Sequence, residues 1–216
     1  MNRLLVLASL LWTGISLFTQ LISAWGGGRK TSAVRSGDPW RGVVYNFTST
    51  MLPSRKETAN QHPVNFLAGV IMHIGACLSI LLILLVSLLN HRFSIPFLFP
   101  AILLAGMTAC TYLLLHRIRK TDLAAISVPD DYIASLMTLF LICVAFLNEI
   151  NGISHSQLTA FTILFFIYFP LGKLRHSVFF FAARYDLGKR LGYRGTYPTP
   201  GQSLTRHGDR SDERHS

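Results

Sequence analysis

The sequence is poor in acidic residues, and its cysteines form no metal-binding pattern. Ten Asp and Glu stand against twenty Lys and Arg, which gives a net charge of +10. The three cysteines, Cys77, Cys110 and Cys143, lie far apart inside apolar runs, with neither a CxxC nor a CxxCH pattern. This spacing argues against a structural zinc site and a covalently attached c-type haem. We interpret the cysteines as small thiols packed between helices.

The excess of positive charge does not indicate nucleic-acid binding. Half of the 216 residues are hydrophobic, and the basic residues fall in the connections between long apolar runs and in the carboxyl-terminal tail. Basic residues in such places set the orientation of membrane helices. We therefore predict a membrane protein with no nucleic-acid partner.

Several apolar runs are long enough to cross a membrane. About 20 helical residues span the ~30 Å hydrocarbon core, and a spanning segment must satisfy its own backbone hydrogen bonds. The sequence predicts an all-α integral membrane bundle of five transmembrane helices within residues 1–198, followed by a polar, disordered tail at 199–216. Pro170 is expected to kink the last span. The predicted spans are about 4–24, 64–89, 95–115, 132–150 and 158–183.

The distribution of Lys and Arg predicts the orientation of these spans. The connections after the first and third spans and the tail are basic, whereas the other two connections hold only Arg92. The positive-inside rule then places the amino terminus outside and the carboxyl terminus in the cytoplasm. The first segment also resembles a signal peptide, with Ser23 and Ala24 after its apolar stretch, but its removal would export a basic connection. We therefore expect it to remain as a helix.

Two histidines, His73 and His176, lie inside predicted membrane helices. Ionisable groups in such positions are costly and are candidates for function. By helix rise, His73 lies about 13 Å and His176 about 11 Å from the cytoplasmic ends of their helices. Because these helices are antiparallel, the two imidazoles could meet and ligate one haem iron. Three nearby cations could bind the haem propionates, namely Lys173, Arg175 and Arg184.

Short motifs around these histidines resemble those of a known family, the gamma subunits of respiratory nitrate reductase. The run Phe169-Pro170-Leu171-Gly172-Lys173-Leu174-Arg175-His176 is similar to that family's Phe-Pro-x-(Ser/Gly)-(Lys/Arg)-Leu-x-His element. The run Met72-His73-Ile74-Gly75 resembles its second-helix histidine element, and 51–56 resembles a basic stretch of its cytoplasmic connection. Membrane subunits of sulfite reductase complexes and other Fe–S partner complexes share the pattern.

The resemblance implies a membrane cytochrome b in the bacterial cytoplasmic membrane. Such a subunit passes electrons between the quinone pool and a cytoplasmic Fe–S or molybdenum-containing subunit, and it is not a complete enzyme alone. The family usually binds two haems, but the expected positions of the outer histidine pair hold Ile83 and Leu158 here. One haem b is therefore our main prediction, and two are the alternative.

Three polar residues at the outer boundary leave several interpretations open. His91 lies on the same helical face as His73, five turns later, and His155 and Glu149 lie at the same level. These groups could ligate a displaced second haem, line a quinone pocket where proton acceptors are useful, or cap helices at the interface.

Two other functions compete with electron transfer. The chain could be a haem-free anchor that docks a cytoplasmic partner through its basic loops. A small transporter is disfavoured, because the sequence shows no inverted repeat, and Glu149, near the end of a span, is its only intramembrane carboxylate.

Overall fold

The computed structural model describes residues 2–27, 38–53, 59, 61–91 and 97–191. The predicted tail at 199–216 and five of the six Lys and Arg residues in the connection after the first span lie outside these residues. The described residues are helical apart from turns and short connections. The α-helices are α1 (Asn2–Gly27), α2 (Pro39–Phe47), α3 (Pro63–Leu89), α4 (Leu98–Arg119), α5 (Thr121–Ile126), α6 (Pro129–Glu149), α7 (His155–Tyr168) and α8 (His176–Leu191).

Four helices are long and apolar enough to cross a membrane, as predicted: α1, α3, α4 and α6. The fifth predicted span is not one straight helix. It consists of α7 and α8, separated by a short break that includes a 3-10 turn at Lys173–Arg175, and the chain bends there by 77°. The sequence indicated a kink at Pro170 but not a bend of this size.

Local sequence signals explain where several helices begin and end. The Asp38 carboxylate accepts the N–H of Trp40 at 2.9 Å and so caps α2. Ser154 and Gln157 form a reciprocal capping box at the start of α7. Asn90 ends α3 in the left-handed conformation, with φ of 54°, which asparagine tolerates better than most residues.

The chain divides into two compact units. The first comprises residues 1–28 and 57–178, and the second comprises 29–56 and 179–216. In the first unit, α3 packs on α1, α4, α6 and α7. The Arg3 guanidinium donates to Leu89 O at 2.9 Å, so α1 begins where α3 ends. We call this the Asn90 end of the bundle, and the opposite end, where α3 begins and α4 ends, the Asn65 end.

The core of the first unit lies between α3, α4, α6 and α7. Its fully buried side chains include Ile83, Leu103, Ile142 and Phe165. A large share of the remaining apolar side chains is exposed, as expected for helices whose outer faces meet lipid rather than water. The exposed apolar surface therefore agrees with a multi-pass membrane protein.

The second unit joins α2 to the later part of α8. The rings of Phe47 and Phe181 stack with centroids 6.2 Å apart. Arg184 donates to the Thr50 hydroxyl at 2.6 Å and to Asn46 O at 3.3 Å. Gly188 allows a close approach, because a Cβ there would lie 2.6 Å from the Val43 Cα.

Candidate functional site

His73 lies on the exposed face of α3, with one ring nitrogen already bonded. Its Nδ1 is 2.6 Å from the carbonyl oxygen of Gly69, one turn earlier. A carbonyl can only accept, so Nδ1 carries the proton and Nε2 keeps its lone pair in the neutral ring. Metal-ligating histidines commonly donate their second ring N–H to a backbone carbonyl in this way. His73 therefore has the tautomer that a metal ligand needs.

His176 occupies a different setting from the one predicted. It is the first residue of α8, it is exposed, and it follows the break at the end of α7. The depth calculated for His176 assumed one straight fifth span, whereas the chain is broken between Tyr168 and His176, so that depth stays a prediction. Within the described part of the chain, His73 and His176 share no hydrogen bond or ring contact. Their ligation of one haem iron stays a prediction.

The break itself is stabilised by α1. Pro170 has no N–H, so the carbonyl of Phe166, four residues earlier, lacks its helical partner. The hydroxyl of Thr13 donates to this carbonyl and also lies 2.8 Å from Ser9 O of its own helix, so its one proton is shared between the two acceptors. A side chain from another helix thus replaces the missing backbone donor, as is required of an interrupted helix in a membrane.

Two further carbonyls near the break accept from α1. Trp12 Nε1 donates to Ile167 O at 3.2 Å, and Gln20 Nε2 donates to Pro170 O at 3.1 Å. The Gln20 Oε1 in turn accepts from Arg175 Nη1 at 3.0 Å. Arg175, predicted to bind a propionate, therefore connects the segment after the break to α1.

The other two predicted propionate-binding cations also contact protein acceptors. Lys173 Nζ lies 2.6 Å from Asp131 Oδ1, and Arg117 Nη1 lies 3.4 Å from the same oxygen. Arg184 donates to the second unit's Thr50, and its guanidinium lies 5.1 Å from the centroid of the Phe180 ring. The structure thus assigns these cations to intramolecular contacts, and propionate binding stays a prediction.

The three outer-boundary candidates lie at the Asn90 end. Glu149 is partly buried and accepts from Asn148 Nδ2 at 3.3 Å. His155 is the first residue of α7, and its Nε2 is 3.4 Å from the Thr159 hydroxyl. His91 directly follows the Asn90 cap and has a partner of its own. The contacts of Glu149 and His155 are local to their own helices, and the capping, haem and quinone roles all stay predictions.

A polar cluster that the sequence analysis did not predict lies at the Asn65 end. The Tyr112 hydroxyl donates to Asn65 Oδ1 at 2.8 Å, and Asn65 Nδ2 lies 3.3 Å from His116 Nε2. The rings of Tyr112 and His116 also stack, with centroids 5.8 Å apart. The sequence alone could not pair His116 with a residue 51 positions earlier. The only sequence signal was polar residues at one end of each of two adjacent spans.

Two cavities adjoin this cluster, and Asn65 and His116 line both. One has a volume of about 290 Å³ and opens between the start of α3 and the end of α4. The other, of about 280 Å³, extends to Met72 and Cys110 and to Arg117 near the start of α6. The Asn65 end therefore combines space, hydrogen-bonding groups and basic side chains.

The chemistry of the two histidines fits a haem. Bis-imidazole ligation needs two neutral nitrogens that face each other across one iron. His73 offers such a nitrogen on an exposed helix face. His176 offers the second only if the segment after the break comes against that face of α3. No group of three or more His, Cys, Asp or Glu side chains that could hold another metal ion occurs in the described residues.

Comparisons with known proteins do not identify a relative. No family model matches the chain, and no curated protein and no solved structure matches it. The likeness of its short motifs to the nitrate reductase gamma subunit therefore stays a prediction. What the structure shows directly is an all-helical bundle with four or five segments able to cross a membrane.

Proposed function

We propose that this chain is a membrane haem b subunit that transfers electrons between the quinone pool and a cytoplasmic redox partner. The observation that carries the proposal is His73. Its Nδ1 is held by Gly69 O, and its free nitrogen faces outward from an apolar helix. When bound, haem b would supply one-electron redox chemistry, and His73 and His176 would hold its iron.

The partner and its docking face follow from the charges. The Asn65 end carries Arg117, Arg119, Lys120, Lys173 and Arg175, and the positive-inside rule assigns such an end to the cytoplasm. A cytoplasmic Fe–S or molybdenum-containing subunit with an acidic surface would be attracted to this end. The membrane in this proposal is the bacterial inner membrane, and the candidate quinone site is the Asn90 end, where His91, Glu149 and His155 lie.

A haem-free membrane anchor is the second candidate, and a specific observation favours it. The three cations that were predicted to bind the propionates all contact protein acceptors, namely Lys173, Arg175 and Arg184. In addition, the chain bends just before His176, whereas the predicted bis-imidazole ligation assumed a straight fifth span. As an anchor, the chain would dock the same cytoplasmic partner without taking part in electron transfer.

A visible spectrum of the purified chain distinguishes the two candidates. We expect a low-spin b-type spectrum with one haem per chain by pyridine haemochrome assay. His73→Ala and His176→Ala should each abolish it, because either change removes one axial ligand. His62→Ala is the matched control, since His62 precedes the same helix α3 and is exposed. A chain purified without haem would favour the anchor. Full haem content in both ligand variants would contradict the assignment of His73 and His176 as the axial ligands.

A further inference from the structure

The cavity of about 290 Å³ at the Asn65 end is lined by basic and hydrogen-bonding groups. Among the described residues no carboxylate lines it. Its wall combines the start of α3 with one face of the last two turns of α4. Its lining includes His62, Pro63, Asn65, Tyr112, His116 and Lys120.

Hydrogen bonds fix one wall of this cavity. Because Asn65 Oδ1 accepts from the Tyr112 hydroxyl, the Asn65 Nδ2 group is the donor toward His116 Nε2. His116 Nε2 therefore accepts, and the neutral His116 ring carries its proton on Nδ1. The polar groups of Asn65 and Tyr112 thus hold the His116 ring in a single tautomer and orientation.

Lys120 supplies the main positive charge at the cavity. It is exposed, it follows the last residue of α4, and its backbone N–H donates to His116 O at 3.1 Å. His62, also exposed, lines the same cavity and contributes a further hydrogen-bonding side chain. A cationic side chain beside fixed hydrogen-bonding groups favours a phosphate, which has several strong acceptor oxygens.

Apolar side chains next to the cavity indicate what carries that phosphate. Val64 lines the cavity and is 64% exposed, and Leu67, one turn further along α3, is 59% exposed. On α4, Leu115 is 42% exposed. The cavity is thus continuous with an apolar helix surface of the kind that faces acyl chains. A soluble anion would bind to the polar wall of the cavity but would make no favourable contact with this apolar surface.

We propose that this cavity binds the phosphate headgroup of an anionic phospholipid, with the acyl chains along the exposed apolar faces of α3 and α4. Basic pockets between membrane helices are a known way of recognising such headgroups. The site does not depend on haem binding, and it gives the Asn65 end a specific lipid in addition to any protein partner.

The test uses the purified full chain in a zwitterionic detergent. Its thermal unfolding midpoint is measured while phosphatidylglycerol, phosphatidylcholine or inorganic phosphate is added, because a ligand that binds only the folded state raises the midpoint. We expect phosphatidylglycerol to raise it in a saturable manner and the other two to have little effect. Lys120→Gln should weaken the apparent affinity for phosphatidylglycerol about fivefold, as expected for one basic residue at a lipid surface.

Arg119→Gln is the matched control. Arg119 is the preceding residue, is exposed and carries the same charge, but does not line the cavity. The site is supported if only Lys120→Gln weakens binding. Equal weakening by both variants would show diffuse surface attraction, and no response to phosphatidylglycerol would show that no site exists. Equal protection by inorganic phosphate, lost in Lys120→Gln, would show a soluble-anion site and overturn the lipid assignment.

Discussion

The crossing of α3 and α4 and the break after α7 differ in what they require of the side chains around them. The crossing requires close packing of two backbones, and the break requires a new donor for an unpaired carbonyl. At the crossing, a Cβ added to Gly75 would lie 3.0 Å from the Gly106 Cα, so the two backbones touch because neither residue has a side chain. At the break, the backbone loses a donor at Pro170 and Thr13 supplies a replacement. Intact helices need only small residues to pack closely, whereas an interrupted helix needs polar side chains from a neighbour.

Of the substitutions considered for these two regions, we expect the largest loss of stability at the crossing of α3 and α4. Gly75→Leu should lower the free energy of unfolding by about 3 kcal/mol or more, because the added atoms meet backbone that cannot move aside. Gly69→Leu is the control on the same helix, since a Cβ at Gly69 has nothing within 4 Å. Denaturation by sodium dodecyl sulfate, followed by circular dichroism, measures both. Equal stability of the two variants would contradict the close crossing.

A smaller effect is expected at the break. Thr13→Val keeps the shape of the side chain but leaves the Phe166 carbonyl without its donor, which should cost about 1–3 kcal/mol. Thr19→Val serves as the control, because the Thr19 hydroxyl is exposed and bonds only to Ser16 O of its own helix. The same denaturation assay applies. If Thr13→Val is no more harmful than Thr19→Val, α1 does not stabilise the break.

The ion pair that follows the break should contribute least to the free energy of unfolding. Lys173 and Asp131 have side chains that are 34% and 17% exposed, so their attraction is partly screened. A double-mutant cycle with Lys173→Gln and Asp131→Asn should give a coupling of about 0.5–1 kcal/mol that weakens in high salt. The exposed pair Arg41–Asp38 should show no measurable coupling. Additive effects of Lys173→Gln and Asp131→Asn would argue against the pair.

The difference between the two regions also explains how much could be predicted from the sequence. The spans α1, α3, α4 and α6 follow from apolar runs of sufficient length, and the structure reproduces them. The bend was signalled by Pro170, but its size was not. Gly172 packs so closely on the Tyr168 ring that a Cβ there would collide with it. A proline is visible in a sequence, whereas a fit between a glycine and an aromatic ring is not.

The candidate site was predicted less completely than the fold. The sequence singled out His73, and the structure gives its imidazole a defined tautomer. The matched depth of His176 assumed a straight span, which the break interrupts, and it stays a prediction. The Asn65–Tyr112–His116 cluster was not predicted. Asn65 lies 47 residues before Tyr112 and 51 before His116, and no local pattern connects it to them. Periodicity predicts helices, but it does not predict which polar groups meet between them.

The donors that α1 supplies to the break also have a consequence for biosynthesis. Thr13 and Phe166 are 153 residues apart, and Gln20 and Pro170 are 150 apart. At 5–20 residues per second, a ribosome needs about 10–30 s to make the intervening chain. During that interval Thr13 and Gln20 of the first helix lack the carbonyl acceptors that they contact in the finished bundle. The pairing of the first helix with the last part of the bundle therefore belongs to the final stage of assembly, after the intervening helices have been made.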